Sequence, residues 1–211
     1  GARMGFLLDG LANLRTEIHH AGGRLLFYQG NLHQVLPKLV QETGSVAVYC
    51  NTDYTPYATQ RDNELEKLLS IPLKRYDDAV IMPPGSVLTN KGTPYTVYTP
   101  FKKKWRSQSK GQNITVREEV PDNFYQIQHI DAHDLPSLED LGFSKPHAIP
   151  QASAAAATER LSQFLQTGIY TYSDGRNELT LHPFSGPAGT SQLSPYFRMG
   201  MLSPRQAIAS A

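Results

Sequence analysis

The stretch SVAVYCNTDYTPYATQRDNELEKLL, residues 45–69, holds the reading that decides the fold. Its first part, Ser45 to Asn51, is a short apolar run of the kind that forms a buried strand. Pro56 then stands where a helix begins, a position at which its missing N–H would have no partner anyway. From there a polar segment with regularly placed leucines runs on to Leu69. A strand followed at once by a helix is one half of a parallel crossover unit.

Upstream, Phe6, Leu7, Leu11, Leu14 and Ile18 recur at helical spacing and Gly22-Gly23 supplies a stop, which predicts a helix from about Met4 to His20. RLLFYQ, Arg24 to Gln29, is bounded by Gly23 and Gly30 and predicts a strand. Asn31 is placed to cap a helix running to about Glu42, with a kink expected at Pro37. A further strand is expected near Lys74 to Met82. The alternation implies an α/β fold, a Rossmann-like and mostly parallel sheet with helices on both faces. Such sheets bind ligands beyond the carboxyl ends of their strands, here Asn51 to Tyr57 (NTDYTPY). No GxGxxG follows any strand, which argues against a nicotinamide dinucleotide.

The 211 residues suffice for one generous domain, or for one and part of another. Lys and Arg number 20 and Asp and Glu 19, so any basic surface must be local. The single cysteine, Cys50, excludes an internal disulfide framework or a multi-thiolate metal site and is expected to be structural. No signal peptide opens the chain and no run approaches the roughly 18 to 20 apolar residues of a membrane span, so a soluble, cytoplasmic protein is expected. The α/β part is expected over 1–106 and a long connector over 107–150. From 151 to 211 the pattern turns helical, with ASAAAATERLSQFLQ and a Ser203-Pro204 helix start, but is too short to bury a core of its own. This implies a fragment.

Three clusters invite a chemical reading. In HIDAHD, His129 and His133 stand four apart with Asp131 and Asp134 nearby, but no third strong zinc ligand and several prolines favour a solvated connector. His19-His20 merely suits the carboxyl end of a helix. Lys102, Lys103, Lys104 and Arg106 beside Trp105 either track a phosphate backbone or form the wet face of a helix whose Phe101 and Trp105 point inward; the second reading is favoured. Gly189-Thr190-Ser191 is more specific. A glycine admits backbone N–H groups to a ligand, two hydroxyls add donors, and the helix start at Ser194-Pro195 or Ser203-Pro204 adds a positive end, together a phosphate cradle. Neither a P-loop lysine nor a G-x-S-x-G elbow accompanies it.

With these residues in view, the chain resembles the DNA photolyases of the photolyase/cryptochrome family. The likeness is carried by RMGFLLDGLANL, by the D-Y-x-P-Y-x-x-x-R-D run Asp53 to Asp62, by VIMPPGSVLTNKGTPYTVYTPFKKKW, by YSDGRN, and most specifically by TSQLSPYFRMGMLSPRQ. The resemblance implies an antenna-type α/β domain lacking its first strand, a linker, and the start of an all-α FAD-binding domain. It implies that Thr190, Ser191, Gln192, Leu193 and Ser194 wrap the FAD diphosphate with Tyr172, and that Arg176 contacts DNA phosphate. The activity implied is light-driven cleavage of cyclobutane pyrimidine dimers in UV-damaged DNA, with no side chain serving as general acid or nucleophile, by a monomer without membrane attachment.

A second, antenna chromophore is expected to be a deazaflavin or flavin rather than a folate. Folate-binding members of the family resemble one another in an Asn-Glu pair where this chain has Tyr57-Ala58, and Tyr54, Pro56 and Tyr57 offer flat apolar surface instead. Packing of the helix start is the other reading of these aromatics. Two rival functions remain at this level: a cryptochrome-type blue-light signalling flavoprotein, and a stand-alone nucleotide-binding α/β module.

Overall fold

The computed structural model describes residues 1–110, 114, 116, 123–126, 130–145, 148–177 and 189–211. In chain order the elements are α1 (Ala2–His20), α2 (Leu32–Thr43), β1 (Val48–Asn51), α3 (Pro56–Leu68), β2 (Leu73–Tyr76), α4 (Tyr98–Ser109), α5 (Ala154–Gln163), a π-helical turn (Phe164–Gly168), α6 (Ile169–Gly175), α7 (Ser194–Arg198) and α8 (Pro204–Ala209). They fall into two compact units, one of residues 1–29, 118–203 and 211, the other of residues 30–117 and 204–210.

The second unit carries a small parallel sheet with flanking helices. β1 and β2 pair in parallel, from Val48 opposite Leu73 to Asn51 opposite Tyr76, with α3 as the crossover. Local chemistry sets the helix ends. The Asn31 side chain accepts the His33 N–H at 2.9 Å and so caps α2, which runs through Pro37 and ends at Gly44 in the left-handed conformation, φ 63°. Thr55 caps α3 and Pro56 opens it. Val40, Leu65, Leu69 and Leu73 form the core, with Leu36, Val48, Cys50 and Ile71 packed around them. Each fully buried Leu or Val contributes about 1.5–3 kcal/mol relative to exposure.

The run 45–51 differs from a fully buried strand. Val46, 84% exposed, lies in a bend before β1 begins, and within the strand Tyr49 is 61% exposed because alternate side chains leave opposite faces and α2 and α3 pack on the face of Val48, Cys50 and Leu73. Tyr49 and Tyr76 stack on the other face, ring centroids 6.1 Å apart, with the Lys74 ammonium 5.3 Å from the Tyr49 ring.

In the first unit α1 lies along the segments around Ala152 and Tyr196. Phe6 meets Tyr196 edge-to-face at 5.3 Å, Asn13 Nδ2 donates to the Ala152 carbonyl at 2.9 Å, and the Tyr196 hydroxyl donates to the Gln151 carbonyl at 3.0 Å. Phe6, Ala152, Ala157, Leu161, Leu193, Tyr196 and Leu202 are all buried. Of the apolar stripe on α1, Phe6 alone is fully buried; Leu14 is 42% exposed. Among the described residues, the strand expected at Arg24 to Gln29 is a single antiparallel bridge, Phe27 with His133. Residues beside His133 offer it no longer ladder, and an apolar run becomes a strand only where a partner strand supplies the hydrogen bonds.

Candidate functional site

The turn at 189–194 is built with its apolar side inward and its polar side outward. Leu193 is 3% exposed and sits in the core with Tyr196, whereas Thr190 and Ser194 are exposed and Ser191 and Gln192 half-buried. Among the described residues, the hydroxyls of Thr190, Ser191 and Ser194 have no hydrogen-bond partner within the chain. Gln192 is the one non-glycine described residue with positive φ, 53°, a conformation that L side chains adopt at a cost of about 1–2 kcal/mol. Arg160 of α5 steadies it by donating to Gln192 Oε1 at 2.7 Å, which also brings a cation to the turn. Strain of this kind collects at ligand clamps.

Close backbone contact unites the two candidate segments. A Cβ built on Gly175 would lie 3.0 Å from Gly189 Cα, and one built on Gly189 would overlap the Gly175 carbonyl. The end of α6, which carries Tyr172 and is followed by Arg176, is therefore packed directly against Gly189, where the 189–194 turn begins. Tyr172 is 42% exposed; its ring meets Phe164 edge-on at 6.2 Å and lies 5.8 Å from the Arg176 guanidinium carbon. Residues 178–188 between these segments lie outside the described residues.

Ser194 is the first residue of α7, and Leu193 holds the cap position and makes no side-chain capping bond. With five residues α7 has little dipole to offer, so the donor set consists of three hydroxyls and the turn's own N–H groups beside Arg160. That set suits a diphosphate, whose oxygens only accept hydrogen bonds. Sequence reasoning missed Arg160 and Gly175. Arg160 reads there as one more polar residue of an amphipathic helix, and no local signal pairs Gly175 with Gly189.

The carboxyl ends of β1 and β2 form a second polar cluster. The Tyr54 hydroxyl donates to Asp77 at 2.7 Å; burial first, and then that hydrogen bond and the Asp77 charge, push its pKa up to about 12. Arg205 Nη2 donates to the Asp77 carbonyl at 3.2 Å, and its Nε lies 3.8 Å from Asp78. Asp62 is 4% exposed and pairs with Arg61 at 2.7 Å. Tyr57 is 75% exposed, its ring 6.0 Å from the Arg61 guanidinium carbon. Burial, followed by the Asp62 charge, raises the Cys50 thiol, which keeps it protonated and poorly nucleophilic at neutral pH.

Of the residues weighed for zinc, His129 lies outside the described ones. His133 accepts the Gln29 N–H through Nδ1 at 2.9 Å. Among the described residues no three His, Cys, Asp or Glu side chains converge as a metal site would need. His19 and His20 close α1, and Lys102 to Arg106 lie on α4.

A family model described as DNA photolyase matches residues 1–122, more than half of the chain. The chain belongs to the DNA photolyase family. It is 33% identical, over its whole length, to the deoxyribodipyrimidine photo-lyase of a Synechococcus species, and 35% identical over 99% of its length to that of Halobacterium salinarum. It spans 44% and 43% of those two proteins. Among solved structures it resembles a bacterial class III photolyase from Agrobacterium tumefaciens, with 25% identity and a TM-score of 0.78 over all of this chain and 44% of the other. A Synechocystis cryptochrome matches with the same TM-score at 22% identity, over 99% of this chain and 44% of the other, a likeness of fold alone.

Proposed function

We propose that the protein carrying this chain is a deoxyribodipyrimidine photo-lyase, a carbon–carbon lyase that cleaves cyclobutane pyrimidine dimers in UV-damaged DNA under light. The observation that carries this reading is identity of 33% and 35%, along essentially the whole chain, to two proteins of that name. FAD, when bound, supplies the light-driven electron that opens the dimer and takes it back afterwards. This chain's part is binding and orientation. Thr190, Ser191 and Ser194 donate hydroxyl hydrogen bonds to the diphosphate, Gln192 and Leu193 hold the turn in shape, and the Tyr172 hydroxyl adds a donor from α6. Arg176, its guanidinium beside the Tyr172 ring, contacts a DNA phosphate. None of these residues moves a proton in the reaction.

In this reading residues 1–106 are the antenna-type domain, 107–150 the linker and 151–211 the beginning of the helical FAD-binding domain of a monomeric, cytoplasmic protein. No described helix is long and apolar enough to cross a membrane. The antenna is a deazaflavin or flavin seated near Tyr54 and Tyr57. In its favour, Tyr57 is too exposed to be filling a core, and Tyr57-Ala58 supplies neither amide nor carboxylate to a folate.

The test is light-dependent loss of dimers from irradiated DNA, with the flavin reduced and a dark control. Repair under blue light and none in the dark is expected. Binding of flavin without any light-dependent dimer loss would overturn the repair reading in favour of the cryptochrome one, to which the fold is equally similar.

A further inference from the structure

Helix α4 carries Lys102, Lys103, Lys104 and Arg106, continues in helical geometry into Lys110, and contains no acidic residue. At 3.6 residues per turn Lys102, Arg106, Lys110 and Lys103 fall within an arc of about 100°. All four are exposed, whereas Phe101, Trp105 and Gln108 on the opposite side are half-buried. The helix is thus amphipathic, as its sequence suggests, but its wet face differs from an ordinary solvated one. Surface helices usually interleave opposite charges, as α2 does with Lys38 and Glu42 at 3.6 Å. Among the described residues none of the α4 cations has an acidic partner within ion-pair distance. Lys102, Arg106 and Lys110 are successive i, i+4 like-charge pairs, which by themselves oppose the helix. In a chain of net charge +1 this is a local concentration, not a reflection of a basic protein.

We propose that this face of α4 docks on the phosphate backbone of duplex DNA, an inference that rests on the reading of the protein as acting on DNA. Lys102 to Lys110 spans about 12 Å along the helix, and phosphates follow one another every 3.4 Å or so of duplex axis on each strand, so the face matches about three or four phosphates of one strand. Flexible, strongly hydrated ammonium groups suit contact of this kind, which positions a duplex without reading its sequence. Binding here is indifferent to damage and needs neither flavin nor light.

The experiment titrates salt against the affinity of the full chain for an undamaged labelled duplex, comparing the native chain with Lys102→Gln/Arg106→Gln, with the charge-keeping Lys102→Arg/Arg106→Lys, and with Lys67→Gln/Lys145→Gln as a control of equal charge loss. The α4 glutamine pair is expected to weaken binding roughly 10- to 100-fold at about 0.1 M salt and to lower the slope of log K against log salt by about 2. The charge-keeping pair and the control should bind as the native chain does. An unchanged slope in the α4 glutamine pair overturns the proposal, and so does an equal loss in the control. Binding to phosphatidylserine vesicles that the glutamine pair abolishes, with duplex binding intact, overturns it as well. Failure of the repair reading looks different: duplex binding through α4 with no preference for dimer-containing DNA leaves this proposal standing.

Discussion

Tyr54 shows how one side chain reports its surroundings. Its pKa is pushed up from the ordinary 10.0 to about 12, so the folded chain holds this proton more tightly than the unfolded chain does. The stability this contributes is complete below about pH 10 and is lost as pH rises through about 12. Asp77→Asn leaves the burial in place and removes the charge. The Tyr54 phenolate, isolated as the difference between titrations with and without Tyr54→Phe, should then appear at lower pH than in the native chain; an unmoved titration would contradict the role given to Asp77. Gly189 carries a steric prediction. A methyl group there meets the Gly175 carbonyl, so Gly189→Ala should destabilise the fold by about 1–3 kcal/mol in thermal or urea unfolding. A native-like Tm would mean that the two segments are not in backbone contact. Such residues also mark the limit of sequence reading: Thr190 to Ser194 announce a donor-rich turn by type and spacing, but nothing local in the sequence says that Arg160 grips Gln192 or that two glycines meet.

Among the elements, those fixed by local chemistry were legible and those fixed by partners were not. Asn31, Thr55 and Pro56 are terminus signals within one turn of the helices they start, and the sequence places α2 and α3 to within a residue or two. Asn31→Ala should therefore cost about 1 kcal/mol by urea denaturation, since it removes the bond to the His33 N–H. A loss below a few tenths would show that solvent satisfies that N–H equally well. Strands depend on distant chain. RLLFYQ has the composition of a strand but among the described residues forms a one-residue bridge, and the strand Val48–Asn51 alternates because one face of its sheet is covered by α2 and α3. The sequence predicts an amphipathic α4, yet sequence alone could not show that its charged face has no ion-pair partner among the described residues.

At the scale of the molecule, membership of the DNA photolyase family rests on a match over residues 1–122, while the proposed flavin turn lies beyond that range in residues 189–194. The connection between the two is the chain-long similarity to proteins of which this chain spans about 44%. The claim to test is therefore that turn's chemistry. The decisive measurement is the FAD-to-protein ratio after gel filtration of the protein carrying this chain, native and with Thr190→Ala/Ser191→Ala. The native protein should retain close to one FAD per chain and the variant, equally folded by circular dichroism, should lose most of it. A variant that keeps its full complement of FAD would contradict the account.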